Sequence, residues 1–270
     1  MTALSAAIAA LHAEGRPRVW SLVVTLFGDA AVPRGGRMAT QRLQALLGQL
    51  QIEPGALRTA LSRLAADGWL DRDRDGRATI YRLSPARLAE TRAAGRRIYA
   101  APAPAPSAWT LGLGPAPEGA LALGADGWIA PGSLPEGGLA VTGPIAALGP
   151  AGFDRICPEP GRSDLAHLRA EALALAAAAP DLTPVQAMAA RTLLIHRWRR
   201  IVLRGQDRPN ALLPPDLADP SPRAAVASAY AALLPAAESW LSSDEGGLQP
   251  MPPADGSLAA RFASDFREQD

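Results

Sequence analysis

Lysine is absent from this chain of 270 residues, and all 27 of its permanently basic side chains are arginines. Any basic side chain that meets a phosphate must therefore be an arginine or a charged histidine. Alongside so much Ala, Gly and Pro, the absence reads as coding bias rather than function. Cysteine is reduced to Cys157. One thiol excludes an internal disulfide and argues against a cysteine-based metal cluster, so a buried or incidental thiol is expected there. Enzyme signatures are also wanting. There is no phosphate-binding glycine loop, no Gly-x-Ser-x-Gly and no metal-ligand spacing. His12, His167 and His196 lie far apart in sequence. Nothing in the sequence orients Cys157 and His167 as nucleophile and base. Asp126, Glu136 and Asp154 are scattered rather than clustered, which leaves no basis for a nuclease. No enzyme activity, cofactor or metal is expected. Long apolar runs are missing too: none approaches the roughly eighteen residues of a membrane span. Residues 1–15 are apolar but lack a basic start and are broken by His12 and Glu14. They suit a short helix better than a signal peptide. A cytoplasmic protein with no membrane partner is expected.

Charge is present but unevenly placed. The net charge is +1, yet residues 1–100 hold fifteen arginines against eight acids, and residues 101–270 hold twelve against eighteen. A basic N-terminal part on an acidic remainder suits a nucleic-acid-binding module joined to something else. Chance clustering of surface charge is the plain alternative.

The first hundred residues carry the clearest pattern. Arg18–Asp29 is a compact apolar run with helical spacing. Ala31–Gly36 reads as a turn. Met38–Leu50 reads as a second helix, with Thr40 as a candidate N-cap. In Ile52–Leu70, Pro54 suits a helix's first turn and Gly68 suits its left-handed stop. Leu57, Leu61 and Leu64 form an apolar stripe beside Ala60. Arg58, Thr59, Ser62 and Arg63 fall on the opposite face, which has no acid and carries the donor types that meet phosphates and base edges. Asp71–Leu83 then reads as a hairpin turning at Asp75–Gly76, with Arg72, Arg74 and Arg77 around its tip. Three helices followed by a basic hairpin describe a winged helix-turn-helix, whose third helix enters the major groove. Asp71, Asp73 and Asp75 oppose tight phosphate contact by the wing and are placed to pair with its arginines. The alternative is a winged-helix protein-interaction module whose arginines are simply solvated.

These segments resemble the PaaX family, repressors of phenylacetic acid degradation operons. The likeness rests on "SLVVTLFGD", the following "GG", "LRTALSRLAADGWL", "GRATIYRLS" and "AAGRRIYA". Far downstream it rests on "IHRWRRIVLRGQDRPNALLPPDL" and the helix from Arg223 to Leu241. The resemblance implies a homodimer on double-stranded operator DNA, released by an acyl-CoA ligand such as phenylacetyl-CoA. It also implies a ferredoxin-like, Cas2-like middle domain. Here only Ser107–Pro115 and Ala125–Gly132 resemble that domain, so a reduced form is expected.

The expected class is α+β. It comprises a winged helix-turn-helix over 1–100, a linker over 101–107, a small α/β middle domain over 108–160 and a mainly helical part over 161–270. The middle segments "AWTLGL", "GALALG", "GWIAP", "GLAVTG" and "FDRIC" read as strands. Beyond them, Ser163 and Thr183 are candidate N-caps of two helices. Ser221–Leu241 reads as a third, interrupted near Pro235, and a last short helix is expected in the tail. The arginines near 197–204 have two readings, an exposed helix face partly paired with the C-terminal acids or an anionic ligand site. If the second holds, Arg197, Trp198, Arg200 and Arg204 are the effector-binding candidates.

Overall fold

The computed structural model describes residues 2–15, 17–76, 78–102, 105–124, 126–132 and 139–263. Helix α1 (Ala3–Ala13) starts on Thr2, whose hydroxyl accepts from Ser5 N at 3.1 Å. Helix α2 (Val19–Leu26) is almost wholly buried and widens into a π-helical turn, Phe27–Ala31, followed by a short 3-10 turn. Strand β1 (Arg37–Ala39) and α3 (Thr40–Gln49) share the segment that reads as one helix in sequence. Thr40 does not cap α3. Ala39 holds the cap position, and the Thr40 hydroxyl donates to Thr79 O at 3.0 Å, tying the helix to a strand. Helix α4 (Pro54–Ala66) buries Leu57, Ala60, Leu61 and Leu64, as its stripe predicts. The hairpin β2 (Leu70–Asp75) and β3 (Ala78–Leu83) takes β1 on its free side, giving the antiparallel order β1-β3-β2.

Helix α5 (Pro85–Ile98) follows directly. A second antiparallel sheet then forms from β4 (Trp109–Leu113), β5 (Leu121–Ala122), β6 (Gly127–Pro131) and β7 (Ala140–Gly143), in the order β5-β6-β4-β7. Among the described residues no helix lies between these strands. The ferredoxin-like expectation is therefore corrected, because that fold needs helical crossovers within its sheet. The segment "FDRIC", expected as a strand, is mostly helical: α6 (Pro150–Ile156) includes Phe153 to Ile156. Trp109, Ile129, Ile156 and Leu212 give this sheet a small core of its own.

The remainder is helical: α7 (Gly161–Ala178), α8 (Pro184–Leu203), α9 (Pro215–Ala218), α10 (Pro222–Ser242) and α11 (Gly256–Ala259). Ser163 lies inside α7 rather than capping it, and its N–H donates to the Glu159 carboxylate at 3.2 Å. Thr183 does cap α8, in a reciprocal capping box with Gln186. Pro235 sits within a continuous α10. The chain is thus α+β, mostly helical, with two small antiparallel sheets. Helix α8 is its axis and packs against α1, α2, α3, α5, α7 and α10. One buried apolar cluster runs from Leu4 to Met251 and joins the first helices to the last. No helix among the described residues is long and apolar enough to cross a membrane.

Candidate nucleic-acid interface

Helix α4 is built to show one face. Pro54 occupies its first turn, where a missing N–H costs nothing. Past its end, Gly68 takes φ 69°, which lets Trp69 N reach back to Leu64 O at 2.8 Å. Burial of Leu57, Leu61 and Leu64 fixes the rotation of the helix and leaves Arg58, Thr59, Ser62 and Arg63 all exposed. The Thr59 hydroxyl donates to Gly55 O at 3.0 Å, and Arg63 lies 3.6 Å from Asp67 across an exposed turn. Such an exposed pair stabilises little and is readily exchanged for a phosphate.

The hairpin turns at Gly76, with φ 57°. Strand alternation sets Leu70, Arg72 and Arg74 on one face and Asp71 and Asp73 on the other. Asp71 and Asp73 do not pair with Arg72 or Arg74, and the Asp75 side chain lies outside the described ones. Asp71 lies 3.5 Å from Arg82, its cross-strand partner, and Asp73 lies 3.6 Å from Arg37 on β1. Among the described residues no carboxylate comes within 4 Å of Arg58, Arg72 or Arg74. Arg72 and Arg74 are exposed. Arg77 lies outside the described residues. Helix α4 and the hairpin meet through contacts of α4 with β2, so both arginine sets belong to one packed unit.

The structure places the effector candidates differently. Trp198 is fully buried and donates its indole N–H to Ile98 O at 2.8 Å, with the Arg223 guanidinium 4.8 Å from its ring centre. It offers no wall to a ligand, which corrects that expectation. Arg197 is bound to Glu171 at 2.6 Å, and Arg200 to Glu14 at 2.9 Å. Arg204 is exposed beyond them. Arg197 also comes within 3.8 Å of Glu14, so Arg197 and Arg200 share that carboxylate on one face of α8. The bland reading of a helix face paired with acids describes Arg197 and Arg200, although Glu14 is an N-terminal partner.

Sequence reasoning missed a buried polar knot. Asp29, on the π turn, accepts from Arg191 Nε at 2.7 Å, Arg261 at 2.8 Å, Tyr99 at 2.7 Å and Tyr230 at 3.1 Å. Burial pushes its carboxyl up, but Arg191 and Arg261 with the Tyr99 hydroxyl more than reverse this and hold it below the usual carboxylate range. Glu238 bridges Arg191 and the buried Arg34. From α3, Arg42 is enclosed as well and donates to the carbonyls of Trp240, Ser243 and Gln249. These arginines tie α3 and the turns after α2 to α8, α10 and the segment that follows it.

Similarity to known proteins follows this division of the chain. Family models described as PaaX-like protein and PaaX-like protein C-terminal domain match residues 18–87 and 164–243. The first spans α2 to the start of α5, and the second spans α7, α8 and α10. The chain is also 31% identical to the transcriptional repressor PaaX of Escherichia coli strain K12, covering 88% of this chain and 87% of that one. A solved structure of an uncharacterized protein from Mycobacterium tuberculosis superposes with a TM-score of 0.48 at 18% identity, covering 81% of this chain and 97% of that one. With both family models and a relative at this identity over most of its length, the chain belongs to the PaaX-like family.

Proposed function

We propose that this protein is a DNA-binding transcription regulator, most closely a repressor. In this reading α2 to β3 form a winged helix-turn-helix, with α4 as the recognition helix and the β2–β3 hairpin as the wing. The observation that carries it is the sorting of charge on this unit. Arg58, Arg72 and Arg74 are exposed and have no carboxylate partner among the described side chains, while Asp71 and Asp73 are occupied by Arg82 and Arg37. Thr59 and Ser62 lie beside Arg58 and Arg63 on the α4 face, where a major groove would present base edges. That the Escherichia coli relative is a repressor supports the same reading, and it supports regulation rather than catalysis. A homodimer would set two such units on a pseudo-palindromic operator. An acyl-CoA such as phenylacetyl-CoA, which the family resemblance implies, would release it by favouring the non-binding arrangement.

The test is titration of the purified protein against its own upstream DNA over a range of salt, with and without phenylacetyl-CoA. Specific binding whose log affinity falls linearly with the logarithm of salt is expected, since phosphate contacts release counterions. Absence of specific binding there and at distal sites would favour the interaction-module reading.

A further inference from the structure

Residues 252–263 turn back onto the first helices. None of them is buried as a whole residue, and the short helix α11 within the stretch buries nothing. Leu258 and Phe262 touch the apolar core only in part. A segment with so little apolar burial is held by its polar contacts, and it can open without the core opening.

Most of those contacts reach the connection between α2 and β1. Asp255 N donates to Pro33 O at 2.7 Å, and Arg34 donates to Pro252 O. Arg261 donates to Asp29 O at 2.7 Å, to Asp29 Oδ1 at 2.8 Å and to Gly28 O at 3.1 Å. The Tyr230 hydroxyl accepts from it at 2.6 Å, and its guanidinium lies 4.0 Å from the Tyr99 ring centre. Its side chain is 5% exposed, so one plugged guanidinium secures a segment that is otherwise at the surface. Phe262 N donates to Tyr99 O at 2.8 Å, and its ring centre lies 5.5 Å from those of Tyr99 and Tyr230. Phe262 also holds φ 58°, in the left-handed region that a bulky side chain rarely adopts. Docking maintains that strain and undocking relieves it. Asp29 keeps Arg191 when Arg261 leaves, so undocking does not strand the carboxylate.

We propose that residues 252–263 form a latch, which undocks as a unit while the rest of the chain stays folded and when closed holds the α2–β1 connection in place. Strand β1 follows that connection and pairs with β3. The closed latch thereby steadies the sheet that carries the hairpin. Its effect on DNA rests on the function proposed above, under which the closed form is the binding form; the opening itself does not.

Hydrogen exchange of the full chain, resolved by residue in increasing urea, tests this. The amides of Asp255 and Phe262 should be protected yet exchange about a hundredfold or more faster than those of Leu193 to Trp198 in α8. Low urea should hardly change their rates, since the opening exposes little surface. Asp255→Ala removes the cap of α11, an acceptor for Ser257 N at 3.0 Å, and leaves the Arg261 contacts whole. It should speed exchange at Phe262 about fivefold, the worth of one cap. Gly36 N, bonded to Ala31 O within the connection, should speed up with it while α8 stays unchanged. Arg261→Gln should act at the same amides more strongly; if it does not fold by circular dichroism, Asp255→Ala decides. Amides of Asp255 and Phe262 that exchange only together with α8, or that show no protection, overturn the proposal. So does faster exchange at Phe262 with Gly36 unchanged. In DNA titrations Asp255→Ala should bind severalfold more weakly than the unaltered chain. Equal affinity despite faster exchange overturns the part of the latch in binding, whereas an unaltered chain that binds no DNA overturns the regulator reading and leaves the exchange result standing.

Discussion

Arg191 Nε donates to Asp29 Oδ2 at 2.7 Å with both side chains sealed from solvent, joining the centre of α8 to the π turn after α2. Sequence separates the two by 162 positions. A π turn inserts one extra residue into a helix, often where a side chain must be re-aimed. Here Asp29 on that turn meets Arg191, Arg261, Tyr99 and Tyr230 together. Removing the carboxylate charge would leave two buried guanidiniums under-compensated. Asp29→Asn should therefore destabilise the fold by about 3–5 kcal/mol, read as a lower urea midpoint. A loss below about 1 kcal/mol would mean that the knot is not a structural tie. Because the folded Asp29 pKa lies below its unfolded value, this stability is present above the unfolded pKa and fades as pH falls through the folded one.

His196 gives a second pH dependence in a different window. Its Nδ1 lies 3.0 Å from the Thr25 hydroxyl, which itself donates to Ser21 O. Burial first, then the charges of Arg199, Arg200 and Arg197, push its pKa down to about 3. The unfolded chain takes up a proton near pH 6.5 that the folded chain refuses. Stability should fall as pH drops from about 6.5 toward the folded value, by about 1.4 kcal/mol per pH unit at most from this group. His196→Gln should flatten urea midpoints between neutral pH and about pH 5, leaving the carboxylate-driven loss at lower pH. An unchanged slope in the variant would assign it to other groups.

Arg42 holds the end of α10 from α3. Its guanidinium meets three carbonyls at 2.7 to 2.9 Å and stacks 4.8 Å from the Trp240 ring centre. Those carbonyls belong to or follow the last turn of α10, which has few other partners for them. Arg42→Met keeps the volume and removes the donors, so about 2–3 kcal/mol should be lost. Hydrogen exchange should rise first at the C-terminal end of α10. Uniform loss of protection would show that the arginine supports the whole fold rather than this terminus.

What is legible in the sequence is local. The helix over 54–66 announces itself through Pro54, the leucine stripe and Gly68, and the hairpin through Asp75–Gly76. Each signal acts within a few residues of its effect. The Asp29 knot is not legible, since its partners sit 162 and 232 positions away and one acid among arginines has no periodicity. Trp198 reads as a ligand wall in sequence because arginines flank it. Their long stems let charged ends reach the surface from a helix that is otherwise enclosed. Phe153–Cys157 reads as a strand because short apolar runs bounded by Gly and Pro look alike whether strand or short helix. Arg199 carries no signal distinguishing it from Arg197 or Arg200. Only packing shows which of the three lacks a carboxylate among the described residues.

The proposed interface makes a graded prediction about salt. Arg58 and Arg74 are exposed with no carboxylate partner among the described side chains, so each should contact the duplex without first breaking an ion pair. Replacing either with alanine should weaken DNA binding and, for a phosphate contact, reduce the slope of log affinity against log salt by about 0.9. If Arg58 reads a guanine edge instead, the slope should hold while discrimination at one base position falls, at a cost of about 1–3 kcal/mol. Asp73 separates the interface from mere basicity. It lies 3.6 Å from Arg37, both half-exposed, and the pair is worth little to stability. Asp73→Asn removes a negative charge from the hairpin and frees Arg37 in one step. Affinity should therefore rise at low salt with little change in urea midpoint. If the hairpin faces away from the duplex, Asp73→Asn and Arg74→Ala should both leave affinity unchanged, and the contact would narrow to α4 alone.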